Sequence, residues 1–131
     1  MRLYLYTRAL SGAVLFLASV VYGLAAPNDY RFDLVQAQPT GPGKTAVAVR
    51  LVHLPDNNPV AGAVLFETKT DMGPAGMAEM TGKVIPLPSD QPGIYRFQIE
   101  TGMAGKWALN LGAKVQGEAG TVRGNLVYEA K

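Results

Sequence analysis

Four methionines and one histidine carry the most distinctive chemistry in the chain. Met72, Met77 and Met80 fall within Asp71-Met72-Gly73-Pro74-Ala75-Gly76-Met77-Ala78-Glu79-Met80, and Met103 sits in Thr101-Gly102-Met103-Ala104-Gly105. Methionine is ordinarily a core residue, so methionines flanked by glycines in loops call for an explanation. A thioether is a soft, uncharged, pH-insensitive donor that suits Cu(I) or Ag(I) and discriminates against Zn(II) and Mg(II). It also survives where thiols would oxidise. Two or three thioethers with one imidazole make a low-coordinate Cu(I) site, and glycine-rich loops can gather such sulfurs. His53, the one histidine, stands two residues before Pro55 at an expected strand end, which makes it the candidate nitrogen ligand.

The same residues support a second reading. Met72, Met77 and Met103 can fill gaps under loops at the open ends of a β-sandwich, and Met80 can be an ordinary strand residue facing the core. His53 is in register with Val47, Val49 and Leu51, which fits a half-buried histidine holding one hydrogen bond. Methionine spacing alone does not choose between ligation and packing, because it is far less specific than a paired C-x-x-C pattern.

Other chemistries find no residues. The chain has no cysteine, which removes disulfides, thiolate metal sites and cysteine nucleophiles, and one histidine rules out a multi-histidine zinc site. Past residue 26 the only serine is Ser89, in a turn, and neither a G-x-S-x-G elbow nor a phosphate-binding glycine loop occurs. The ten acids are scattered, without the context of a glycosidase pair. The expectation is therefore a protein that is not an enzyme. The 131-residue chain carries 12 Lys and Arg against 10 Asp and Glu, and setting aside Arg2 and Arg8 leaves the charges balanced. No electrostatic footprint for nucleic acid or an acidic membrane remains.

Residues 1–26 read as a secretory signal peptide. Arg2 and Arg8 form the basic start, Ala9 to Leu24 is an uncharged and mostly apolar run, and Gly23 and Ala25 are the small residues expected before a cleavage site. Retention as a membrane anchor is the alternative, although the run is shorter than the roughly 20 residues a spanning helix needs. Residues 27–131 then form one exported domain.

Strict alternation of apolar and polar residues, punctuated by Gly and Pro, dominates that domain. Strands are expected from Tyr30 to Leu34, Thr45 to Leu54, Val60 to Lys69, Met77 to Leu87 (an edge strand, because of Pro86), Ile94 to Glu100, Lys106 to Leu111 and Val122 to Glu129. Gln38–Gly43 and Asp71–Gly76 read as loops, since proline lacks an amide donor and glycine favours turns. Trp107 is expected in the core, and Tyr95 is placed like a corner tyrosine whose hydroxyl ties down the preceding connection. About seven short strands give an all-β, immunoglobulin-like antiparallel β-sandwich.

The strings Leu54-Pro55-Asp56, Pro59-Val60-Ala61-Gly62-Ala63, Asp71-Met72, Gly76-Met77-Ala78-Glu79-Met80, Pro92-Gly93-Ile94-Tyr95-Arg96-Phe97 and Met103-Ala104-Gly105-Lys106-Trp107-Ala108-Leu109 resemble the exported YtkA-like or FixH-like β-sandwich domains. The resemblance covers about residues 29–130. It implies a periplasmic accessory of copper or silver handling in a Gram-negative bacterium, working beside a resistance-nodulation-division efflux adaptor or another envelope protein. It also implies that Met72, Met77, Met80 and Met103 occupy recurrent methionine positions, with Cu(I) or Ag(I) as the ion. The alternatives are a metal-free module docking on such an adaptor and, through the FixH likeness, a factor for oxidase assembly.

Overall fold

The computed structural model describes residues 27–131, so the signal peptide expected at 1–26 lies outside the described residues. After a 3₁₀ turn at Pro27–Asp29 come nine strands: β1 (Tyr30–Gly41), β2 (Lys44–His53), β3 (Asn58–Pro59), β4 (Val64–Met72), β5 (Met77–Thr81), β6 (Lys83–Leu87), β7 (Ile94–Glu100), β8 (Gly105–Lys114) and β9 (Thr121–Ala130). A second 3₁₀ turn, Gly73–Ala75, separates β4 from β5. The strands form two antiparallel sheets, β1-β2-β7-β6 with β3 added beside β2, and β5-β4-β8-β9. This is the expected all-β sandwich, with nine strands instead of seven. No helix among the described residues is long and apolar enough to cross a membrane.

The alternation in the sequence is what fills the space between the sheets. Val47, Val49 and Leu51 of β2 and Phe97 and Ile99 of β7 face Trp107, Leu109 and Leu111 of β8, all buried. Each such side chain contributes roughly 1.5–3 kcal/mol relative to full exposure. Polar groups inside this core are paired. The Thr70 hydroxyl donates to the Ala108 carbonyl at 2.7 Å and accepts from the Tyr128 hydroxyl at 2.7 Å. Burial holds the Tyr128 phenol above its ordinary pKa.

Three segments depart from the sequence expectation, each for a physical reason. Gln38–Gly43 is not a six-residue loop: β1 runs on to Gly41 and only Pro42 and Gly43 turn. Pro39 is tolerated because β1 is an edge strand, so its missing amide removes no bond from a second neighbour. The strand expected from Val60 starts at Val64 and extends to Met72, which places Asp71 and Met72 in β4 instead of in a loop. The single strand expected from Met77 to Leu87 is two strands in different sheets, divided at Gly82. There the backbone crosses so close to β7 that a Cβ would lie 2.5 Å from the Glu100 carbonyl oxygen, so only glycine fits. Pro86 is still at an edge, on β6.

β5 pairs with Asp71 and Met72, and the Gly82 amide adds one bond to the Thr70 carbonyl at 3.2 Å, so Val64 to Lys69 of β4 have no ladder neighbour on that side among the described residues. Between this free edge and β6 lies a groove of about 460 Å³, walled by Ala63, Leu65, Pro86, Leu87, Tyr95 and Phe97 among others. Tyr95 does act as a corner residue, but for a connection more than thirty residues upstream. Its hydroxyl donates to the Val60 carbonyl at 2.7 Å and accepts from the Ala63 amide at 3.0 Å, fixing the crossover from β3 to β4. Tyr95→Phe strands both backbone groups and is expected to lower stability by about 1–3 kcal/mol. Urea denaturation of the variant checks this; an unchanged midpoint would show that the crossover holds itself.

Candidate functional site

The methionines of the described residues come from two segments, the β4–β5 hairpin and the β7–β8 connection. Met72 ends β4 and Met77 opens β5, and the two are directly opposite in the ladder. Between them Gly73–Ala75 makes a 3₁₀ turn with Pro74 near its start, and Gly76 closes it at φ +81°. Glycine at that left-handed position carries no Cβ penalty, which lets the chain reverse and bring the second methionine back to the first. Met72 is 2% exposed and belongs to the core, whereas Met77 is half-buried and packs on the core's edge.

The third methionine arrives through Gly105. This residue starts β8 at φ +136°, and a Cβ there would sit 3.0 Å from the Met72 methyl carbon. The backbone of β8 therefore passes directly over the Met72 side chain. Met103, two residues earlier, is 44% exposed. Its carbonyl accepts a hydrogen bond of 3.1 Å from Nε1 of Trp107, which is fully buried, as the sequence led us to expect. The indole thus anchors the Met103 turn to the core. The result is a graded set of thioethers: Met72 inside, Met77 at the rim and Met103 outside.

Met80 stands three residues further along the edge strand β5 and is 36% exposed, so it faces solvent and does not fill the core. His53 is at the other end of the molecule. Lys44, at the start of β2, pairs with Glu100, and the neighbouring Gly43 carbonyl binds the Thr101 amide, which puts that end of β2 beside the Met103 connection. His53 is nine residues further along, roughly 30 Å away at strand rise. The expected pairing of this imidazole with the thioethers is thus corrected: strand length separates them.

His53 has its own local function. Its Nδ1 donates to Asp56 Oδ1 at 2.9 Å, and the same oxygen accepts the Asn58 amide at 3.1 Å, bracing the turn in which Asn57 takes φ +59°. The ring packs against Tyr30 at a centroid distance of 5.0 Å. Tyr30 in turn donates to Glu118 at 2.7 Å, and burial first, then that carboxylate, pushes the phenol up to about 12. The His53 bond and the Asn58 amide hold the Asp56 carboxyl below its ordinary value. A carboxyl depressed in the folded state stabilises fully above its unfolded pKa, and loses that contribution as the pH falls through the folded value. Thermal melts from pH 6 to pH 2 are therefore expected to show a steeper acid loss for the wild type than for Asp56→Asn. Parallel curves would show that this turn carries no linkage.

Among the described residues no three of His, Cys, Asp and Glu are grouped so as to hold a metal ion. The sequence reading missed Asp71 and Gly105, although Asp-Met-Gly is a visible Asx-turn signal. Asp71 Oδ1 accepts the Gly73 amide at 2.7 Å, and Oδ2 accepts Asn110 Nδ2 at 3.0 Å.

No curated protein matches the chain. A solved structure described as "ZirS C-terminal Domain" is similar with a TM-score of 0.44 at 12% identity, over 95% of this chain and 82% of that one. The family model described as YtkA-like matches residues 24–112, from before β1 into β8 and across all four methionines. The chain belongs to the YtkA-like family.

Proposed function

We propose that this protein is an exported, periplasmic carrier of Cu(I) or Ag(I) that binds the ion through Met72, Met77 and Met103 and passes it to a resistance-nodulation-division efflux adaptor or another envelope protein. The observation that carries this reading is the position of Met72, opposite Met77 in the ladder and with its methyl against Gly105 in the strand that follows Met103. Neutral sulfur donors favour a soft monovalent ion over Zn(II). The gradient of exposure suits transfer. Met72 is the fixed donor, Met77 and Met103 are the donors that a partner's ligands replace one at a time, and Met80 is a further exposed sulfur on β5. Export rests on the basic and apolar pattern of residues 1–26.

Competition of the wild-type protein against a Cu(I) chelator tests the reading. Uptake of one Cu(I) or Ag(I) per chain, with no uptake of Zn(II), is expected. Failure to take Cu(I) or Ag(I) from the chelator removes it.

A second reading, a docking module for an extended segment of an envelope partner, is favoured by the free edge of β4 beside the 460 Å³ groove. An added strand would supply the missing ladder bonds while its alternate side chains enter the groove. A partner interaction that survives loss of the methionines but fails in a groove variant would favour it over the carrier.

A further inference from the structure

We infer that Asp71 is the positioning residue of the methionine site: it ties the Met72–Met77 hairpin to β8, the strand that also fixes Met103. The inference rests on the soft-cation reading above and adds a residue to it that is not a ligand. Three observations carry it.

The ladder between β4 and β5 breaks immediately after Asp71. Asp71 pairs with Thr81, whereas the next residue, Met72, pairs with Met77. Three extra residues of β5, Ala78, Glu79 and Met80, are therefore accommodated between two adjacent residues of β4, and something must set the direction of the hairpin beyond them. The Asp71 carboxylate is built to do so. One oxygen takes the Gly73 amide at 2.7 Å, closing an Asx turn around Met72. Gly73 is shaped to this contact, since a Cβ there would lie 2.8 Å from the same oxygen.

The second oxygen reaches out of the hairpin, accepting Asn110 Nδ2 on β8 at 3.0 Å. Asn110 Oδ1 in turn accepts Asn125 Nδ2 on β9, its register partner. A single chain of hydrogen bonds thus joins the Gly73 amide to three strands, with donation from Gly73 on one side and from Asn125 through Asn110 on the other both ending on the Asp71 carboxylate. Trp107, three residues before Asn110 on β8, holds the Met103 carbonyl. One strand therefore sets both halves of the thioether set, through Asn110 for Met72 and Met77 and through Trp107 for Met103. Partners of this kind, one step removed from the ligands, typically govern metal affinity by 10–100-fold.

The polarity of the chain gives a test that a general loss of stability would not mimic. Asp71→Asn keeps the shape and an acceptor for Gly73, but its amide nitrogen can bond Asn110 only if the Asn110 amide flips, which breaks the bond Asn110 now accepts from Asn125. Adding Asn110→Asp reverses that bond: the amide at 71 now donates to the carboxylate at 110, which can still accept from Asn125. Cu(I) affinity by chelator competition, with a thermal melt of each protein, is measured for wild type, Asp71→Asn and Asp71→Asn/Asn110→Asp. The expected result is a loss of about tenfold in the single variant and recovery to near wild-type affinity in the double variant. If Asp71→Asn does not fold, Asn110→Ala, which leaves the Asx turn but unties it from β8, is expected to show the same loss. Equal affinities for wild type and single variant overturn the role of Asp71 while leaving the carrier reading intact. A folded double variant that stays weak overturns it too. A wild-type protein that takes no Cu(I) overturns both.

Discussion

Replacing Met77 and Met103 together by leucine is expected to leave the sandwich folded while weakening Cu(I) binding at least a hundredfold, about 2.8 kcal/mol. Leucine is close to methionine in volume, and such swaps usually cost less than about 1.5 kcal/mol even in a core. Neither residue is fully buried: Met77 is half-exposed at the rim and Met103 is 44% exposed. The packing loss is therefore small, and what disappears is two of the three sulfur donors proposed for the ion. The remaining Met72 is enclosed and cannot compensate by itself. Chelator competition at matched ionic strength gives the affinity, and far-ultraviolet circular dichroism confirms the fold. Unchanged affinity in a folded double variant would mean that these thioethers are packing residues.

The second large effect is on stability. Trp107→Ala is expected to cost about 3–5 kcal/mol, through lost burial and the cavity left behind. Trp107 is fully buried, and its Nε1 secures the Met103 turn, so the deletion removes core volume and the tie together. A domain of this size is stabilised by only about 5–15 kcal/mol, so the variant is expected to melt well over 10 °C lower. Trp107→Phe separates the two contributions: it retains most of the packing, loses the Nε1 donor and frees the Met103 carbonyl. Calorimetry of both variants checks the order, with alanine far below phenylalanine and phenylalanine below wild type. Equal melting temperatures for Trp107→Ala and wild type would contradict the packing described here.

Much of the fold is legible in the residues because burial in a sheet has a period of two. Val47, Val49 and Leu51 announce the inner face of β2, and Phe97 and Ile99 that of β7, without any knowledge of their neighbours. Tyr95 after Pro92-Gly93 is equally readable as a corner, but its partner is not, since Val60 and Ala63 meet it only after the two sheets assemble. The division of Met77–Leu87 at Gly82 was hidden for the same reason. What forces it is the Glu100 carbonyl, far away in sequence.

The candidate site shows the same limit. Alternation places His53 in register with Val47, Val49 and Leu51 of β2, and Gly73 and Gly76 mark the β4–β5 turn between Met72 and Met77. Which end of the sandwich each occupies depends on strand order, and a strand of ten residues puts His53 beside Tyr30 instead of beside Trp107. Asp71 and Gly105 acquire meaning only through contacts made across strands.

X-ray absorption spectroscopy of the Cu(I)-loaded wild-type protein tests the central claim most directly, because it reports the atoms bound to the ion. A coordination shell of two or three sulfurs, unchanged in His53→Gln, is the predicted result. A shell dominated by nitrogen or oxygen, or one that changes when His53 is replaced, would contradict a thioether site at the Met72 end of the sandwich.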